Sequence, residues 1–399
     1  GLIMRRNFIH SSESATDGHP DKLCDQISDA IVDRFLEQDH CARIIAECAV
    51  SFSVVFIAAR FASNVKVDFP NVARKVIRRI GYVDHEFNFK TCSILTSLKE
   101  MVPKIGLFDE DSLCDADIDN MPANDQVTLF GFACNQTPMF MPFPIWLAHK
   151  LARRLSDVRL DGVLPYMAPD GTSQVSVEYR DLRPFRIYSV AINSSQIDRS
   201  YPPAPQLNED IRREVIEPAF VDEPIRPDRD TKIFVNPAGP LKLGGPSVHS
   251  GLTGRKNAID TYGGFSRNSG AALSGKDPLR IDRVGSYAAR HAAKNVVAAG
   301  LADQCEVQLS YSIGQARPVS IQVETMGTGK KSDDDIARLV ETHFDFRLGA
   351  IIKKFKLRRL PSLTKGGFYR KLAAYGHFGR PDLELPWEAI DMKDALKDS

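Results

Sequence analysis

Two glycine-rich stretches carry cations in a pattern that suits an anion. The first, Gly244–Lys256 (GGPSVHSGLTGRK), continues to DTYGG at 260–264, and the second is SGAALSGKDPLRID at 269–282. Glycine lets backbone N–H groups approach an anion, and Arg255, Lys256, Lys276 and Arg280 put four cations on these segments. Neither stretch matches the G-x-x-x-x-G-K-[ST] phosphate loop or the dinucleotide fingerprint. One such loop alone reads more readily as a tight turn with surface lysines. Two in tandem, both ending in basic residues, leave turn and phosphate binding evenly matched. A third stretch, SATDGHPDK at 14–22, sets His19 before Pro20 and Asp21 just after it. Spacing alone favours capping here: His19 closes the start of a helix and Asp21 complements its dipole. In the chemical alternative both face a polyphosphate, with Asp21 offering an oxygen to Mg2+.

These loops need elements to hold them. Leu23, Ile27, Ile31 and Phe35 recur every fourth residue behind Pro20, so 20–38 reads as a helix. At 43–59 the spacing switches to two, setting Cys48, Val50, Phe52, Val54 and Phe56 on one face of a long strand or strand pair. Helical spacing returns at 71–80. Strands follow at 173–179 (Val175, Val177, Tyr179) and about 186–193. Pro-rich Tyr201–Pro205 turns into a helix near 208–217, and the prolines and charges of Pro218–Asp230 mark a connection between domains. A helix at 285–299 stops at Gly300. Strands at 305–313 (Val307, Leu309, Tyr311, Ile313) and 319–325 precede an amphipathic helix at 333–345. The class is α+β, with helices carried on mixed or antiparallel sheets. Between 99 and 124, Asp109, Glu110, Asp111, Asp115, Asp117 and Asp119 crowd a stretch without periodicity. No carboxylate spacing repeats, so it reads as a solvated loop rather than a metal site, and its length suits a lid.

Composition narrows the function further. A chain of 399 residues holds two or three domains, and 43% hydrophobic with 26% charged residues is ordinary for a globular protein. A net charge of +1 gives no electrostatic reason for nucleic acid or an anionic membrane as partner. The seven cysteines are scattered and lack a C-x-x-C pair, so they read as free, mostly buried thiols in a reducing cytosol rather than as disulfides or a zinc site. No apolar run reaches the roughly 20 residues that span a bilayer. Polar Asn7, His10, Ser11, Ser12 and Glu13 break up any signal-peptide core, and Gly1–Ile3 read as a cloning remnant. A cytoplasmic location is expected.

Seven segments occur in a telling order: GHPDK, FGFACNQT (130–137), GGP-x4-GLTGRK, DTYGG, SGKDP, SYAARHAAKN (286–295) and AAYGHFGR (373–380). Together, from about Ile9 to Trp387, they resemble the S-adenosylmethionine synthetase family. The resemblance implies three similar α+β domains, 8–106, 107–237 (with a mobile loop at about 100–124) and 238–388. It also implies a homodimer or dimer of dimers packed sheet to sheet, with active sites between subunits. The implied reaction is attack of a thioether sulfur on C5′ of ATP, expelling tripolyphosphate that is then hydrolysed. By the same resemblance His19 lies near the breaking C5′–O bond, Asp21 and Asp282 hold Mg2+, and Glu47 holds K+. Lys256, Lys276 and Arg255 grip the phosphates, with Ala272 beside them. Phe234 stacks near adenine or the substrate, Asp170 lies near the ribose and Asp125 shapes the site. Such an SN2 step needs aligned partners and fixed positive charge at the leaving group, which these residue types supply.

The acceptor side departs from the family pattern. Arg60 and His249 stand where the family has carboxylates for the methionine ammonium, Met101 stands for a glutamine, Thr172 for a lysine and Arg280 for a lysine. A cation about 4 Å from an ammonium repels it by about 4 kcal/mol at an effective dielectric near 20, roughly a thousandfold in affinity. Either Arg60 turns outward into solvent or the acceptor lacks the ammonium, as a deaminated methionine analogue or another methylthio acid does. Losing the lysine at Thr172 implies slower catalysis or weaker tripolyphosphate hydrolysis. The competing class is a nucleotide-binding paralogue without turnover that partners an active subunit; the retained His19, Asp21, Lys256, Lys276 and Asp282 speak against it.

Overall fold

The computed structural model describes residues 5–83, 85–102, 109–197, 201–242 and 244–399. Its strands are β1 (Phe8–Ala15), β2 (Arg43–Ser51), β3 (Val54–Ala62), β4 (Ser93–Glu100), β5 (Val127–Cys134), β6 (Met167–Arg180), β7 (Arg183–Gln196), β8 (Lys232–Val235), β9 (Leu241–Lys242), β10 (Gly251–Leu252), β11 (Gln304–Tyr311) and β12 (Ser320–Glu324). Five helices matter most: α1 (Pro20–Gln38), α2 (Phe69–Ile80), α3 (Phe143–Leu160), α4 (Ile281–Ala298) and α5 (Asp333–His343).

The strands form three sheets, each assembled from distant segments. Sheet one runs β1-β6-β7-β8, with β9 also on β7; sheet two runs β10-β2-β3-β4; sheet three runs β12-β11-β5. Pairing is antiparallel except at β3–β4, β7–β8 and β7–β9. Each sheet carries one long helix, α3 on sheet one, α1 on sheet two and α4 on sheet three. The fold is α+β, as the periodicities predict. Among the described residues no helix is long and apolar enough to cross a membrane.

Local expectations hold where one chemical signal dominates. α1 spans 20–38 with Pro20 in its first turn, and the 71–80 segment lies within α2, which Asp68 caps and left-handed Gly81 ends. The hairpin at 43–62 corrects the one-face reading. Ser51 pairs with Val54 across a two-residue turn, so residues whose numbers sum to 105 share a side. Cys48 and Val50 are buried, but Val55, Ile57 and Ala59 take over the core side on β3, and Phe52 is 70% exposed at the turn. Ile313 likewise falls beyond β11 and is exposed. The helix expected near 208–217 starts earlier, at Ala204, and continues through a wider-wound segment at 212–216 to Phe220.

The acidic stretch differs from a solvated loop. Residues 103–108 lie outside the described residues; beyond them, 110–112 and 115–119 form short helical turns. Arg347 binds Asp115 and Asp119, and Arg359 binds Asp109 and Asp111. Glu110 is wholly buried, accepts the Arg358 N–H at 3.1 Å, and is pushed up to about 7 by that burial. Five of the six acids are thus counter-charges for a distant basic segment, which composition cannot reveal, and the sixth, Asp117, accepts the Cys114 N–H at 2.9 Å.

Candidate functional site

His19 closes the start of α1 and faces the site at once. Its Nδ1 accepts the Asp21 backbone N–H at 3.1 Å, so the proton of the neutral ring sits on Nε2. Burial pushes its pKa down to about 4 against the pull of Asp170 and Asp21, so the ring is uncharged at neutral pH. His249 meets it edge-on, with ring centroids 5.0 Å apart. His249 Nε2 lies 2.6 Å from Asp170 Oδ2, and this hydrogen bond raises the His249 pKa against its partial burial. The same Asp170 oxygen accepts the Gly245 N–H at 2.8 Å. The cap uses only Nδ1, so it leaves Nε2 of His19 available for other contacts.

Asp21 is nearly fully buried and is the hub of the first cation group. It accepts the Leu252 N–H at 3.0 Å, with Lys256 Nζ at 3.1 Å and Arg255 Nε at 3.7 Å. The second group is Lys276, whose Nζ lies 3.1 Å from Asp282 in the first turn of α4. The loops bearing the two groups touch. Gly254 adopts φ +78°, and a Cβ there would sit 2.3 Å from Ala272 Cβ. Gly275, at φ +82°, leaves only 2.0 Å from such a Cβ to the Ala46 carbonyl oxygen. Neither glycine tolerates a side chain.

Beneath both loops runs a feature absent from the sequence expectations. Asp21, Asp25, Asp29 and Asp33 recur every fourth residue on α1, and all are buried. Asp25 accepts the Gly254 N–H and Asp29 the Gly275 N–H, each at 2.8 Å. Asp33 accepts three backbone N–H groups from Phe368, Tyr369 and Arg370. The signal was the i, i+4 spacing of acids on a helix already recognised by its apolar residues. Lys22 is buried between Asp25 and Asp260, and their charge raises its pKa against its burial.

The remaining candidates are dispersed in a single chain. Arg60 on β3 is exposed, opposite Ile45 and in register with Lys99, and Glu47 is exposed on β2 opposite Ala58. Met101 follows β4, its N–H bound to the Phe61 carbonyl. Thr172 pairs with Ala15 and Asn193 in sheet one, and half-exposed Phe234 pairs with Ala191 two strands from β6. Asp125 is exposed just before β5, and Arg280 is the residue that opens α4. Among the described residues, none of Arg60, Met101, Glu47, Phe234 and Asp125 has a polar or ring contact with the His19 group.

Among the described residues, the one His/Cys/Asp/Glu group compact enough for a single ion is His19, Asp170 and His249, whose ligand atoms lie within 4.8 Å of one another. Asp21 and Asp282 are separate carboxylates, each facing a lysine. That suits Mg2+, which commonly takes one or two carboxylates and completes its shell with water and phosphate oxygens.

Matches to known families follow the chain in order. Residues 7–103 match the N-terminal domain of S-adenosylmethionine synthetase, 120–241 its central domain and 243–389 its C-terminal domain. The S-adenosylmethionine synthase of Gloeothece citriformis is 47% identical over 410 residues, covering 99% of this chain and 98% of that protein. That of Thermosynechococcus vestitus is 47% identical over 398 residues, covering 96% of each. That of Microcystis aeruginosa is 46% identical over 411 residues, covering 99% of each.

Proposed function

The chain belongs to the S-adenosylmethionine synthetase family, and on that premise we propose that it transfers the adenosyl group of ATP to a thioether. The sulfur lone pair forms the bond to C5′ as the C5′–O bond breaks, and the electron pair leaves with tripolyphosphate, which water then splits to phosphate and pyrophosphate. The observation that carries this reading is Lys256 Nζ, 3.1 Å from buried Asp21 and beside an uncharged His19. Neutral His19 with Nε2–H free of the cap suits a hydrogen bond to the bridging oxygen, where charge builds up. Lys256, Arg255 and Lys276 would hold the phosphates, with Ala272 pressed against the first loop. Asp21 and Asp282 would hold Mg2+ and Glu47 K+; the bound metal supplies charge neutralisation on the phosphates.

The outer face of sheet two supports a sheet-to-sheet homodimer. Val54, Phe56, Leu95 and Leu252 are large, apolar and 37–56% exposed there, more than scattered surface residues warrant. Arg60, Lys99 and Glu47 stand on the same face, so an acceptor site completed across the contact accounts for their distance from His249 within one chain. We take the acceptor to be a methionine-like acid lacking the amine. Exposed Arg60 and Lys99 with a readily protonated His249 favour a carboxylate and disfavour an ammonium. Asp125, Asp170, Phe234 and Arg280 remain assigned to nucleotide and acceptor, and Met101 and Thr172 to the altered side. Five of the seven cysteines, Cys24, Cys48, Cys92, Cys134 and Cys305, are buried thiols outside any disulfide, which fits the cytoplasm.

Incubation with ATP, Mg2+ and K+ alongside methionine and its 2-oxo and 2-hydroxy analogues tests both parts by mass spectrometry. An S-adenosyl sulfonium with phosphate and pyrophosphate is expected, best with an analogue lacking the amine. Methionine outperforming every analogue rejects the acceptor assignment alone. No sulfonium and no phosphate release with any acceptor rejects the enzyme and leaves a nucleotide-binding partner subunit. Thr172→Lys is expected to speed tripolyphosphate hydrolysis; unchanged rates would remove that residue from the argument.

A further inference from the structure

The aspartates along α1 do more than satisfy backbone groups. Four residues of helix rise about 6 Å, so Asp25 and Asp29 hold the Gly254 and Gly275 N–H groups one turn apart on a rigid rod. Each rung then reaches the phosphate-facing residues beside it. Gly254 precedes Arg255 and Lys256 directly. Asp29 also clamps Arg283 through two hydrogen bonds of 2.8 and 3.0 Å, and Arg283 donates to the Lys276 carbonyl at 2.9 Å. Asp25 is charge-paired with Lys22 at 3.1 Å, and Lys22 in turn binds Asp260. Both carboxylates are fully buried, so each rung is stiff and its loss strips a backbone N–H of its partner.

We propose that Asp25 and Asp29 are positioning residues: the pitch of α1, read through these two carboxylates, sets the distance between the Lys256 and Lys276 loops and so selects an anion long enough to bridge them. This rests on the phosphate-binding reading given above. Asp33 is the built-in control. It is also buried, lies on the same stripe and binds backbone N–H groups, but those belong to 368–370 and to neither glycine loop; its one link to the second rung is the Tyr369 ring, 4.3 Å from Arg283. A rung that only stabilises the fold and a rung that sets a spacing therefore predict different behaviour along one helix.

The test is titration calorimetry of the full chain with inorganic tripolyphosphate and with orthophosphate, a single phosphate that on this proposal engages one loop at a time. Asp25→Ala and Asp29→Ala are expected to weaken tripolyphosphate binding about tenfold, the scale of one charge-assisted hydrogen bond, while orthophosphate binding is unchanged. Asp25→Asn, which keeps an acceptor for the Gly254 N–H, should recover part of the loss. Asp33→Ala should lower the thermal midpoint without altering either affinity. Amide exchange at Gly254 and Gly275 checks each variant, and should Asp29→Ala not fold, the Asp25 pair decides. Equal losses for both anions, no loss at all, or the same loss in Asp33→Ala would overturn the proposal. A wild-type chain with no preference for tripolyphosphate would overturn the phosphate-site reading and this proposal with it.

Discussion

At the scale of single residues, His249 and Lys256 make the sharpest expectations. His249 is held above its ordinary pKa by its hydrogen bond to Asp170. Its contribution to stability is therefore complete below the unfolded value of about 6.5 and is lost as pH rises through the folded value. The apparent KM for an acceptor acid should rise over the same interval, and His249→Asn should flatten both profiles in melting and initial-rate measurements. His19, with its pKa pushed down to about 4, works with the opposite sign. It weakens the fold as pH falls from about 6.5 towards 4, because only the unfolded ring takes up a proton there. Lys256→Met should lower the rate roughly 100- to 1000-fold, as removal of a preorganised charge at a leaving group does. It should also destabilise the chain by leaving Asp21 buried with weaker partners, and adding Asp21→Asn should restore part of that stability. In the sequence, spacing alone made His19 and Asp21 a helix cap and left the Lys256 loop undecided between a turn and a phosphate site; the family resemblance supplied their chemical roles. The grip of Asp170 on His249 was not legible, since the two are 79 positions apart and neither spacing nor composition links them.

At the scale of elements, α1 and its glycine partners carry the argument. The apolar repeat gave the span of α1, yet its acidic repeat was the more informative one, since its partners lie more than 200 residues away in the chain. Gly254→Ala tests the close approach of the loops. Both the positive φ and the 2.3 Å clash with Ala272 oppose it, so ATP affinity should fall. A companion Ala272→Gly should recover only part, relieving the clash and not the backbone strain. Isothermal titration of the single and double variants would separate the two contributions. The β2–β3 hairpin shows why period two misleads across a tight turn: a two-residue connection swaps odd for even on the core side, and only the pairing register reveals it.

At the scale of the molecule, periodicity finds strands but not their partners. β1 pairs with β6, β2 with β10 and β5 with β11, each joining distant segments. The outer face of sheet two was legible only as apolar residues left over after the core was filled. Phe56→Lys or Leu95→Lys should halve the mass seen by light scattering and abolish adenosyl transfer together; a variant that becomes monomeric with full activity would remove the shared-site reading. The interleaving of segments also bears on how the chain is born. While the ribosome is still threading out the middle of the protein, β1 waits beside an empty edge until residue 172 and beyond have emerged, β2 until 251 and β5 until 304. No sheet can close early, so such long-range pairings make refolding slow, on the order of milliseconds to seconds or longer, and expose nascent edges to aggregation. The expected consequence is that chaperones raise the yield of folded chain during synthesis, because each layer is completed only by a strand from much later in the polypeptide.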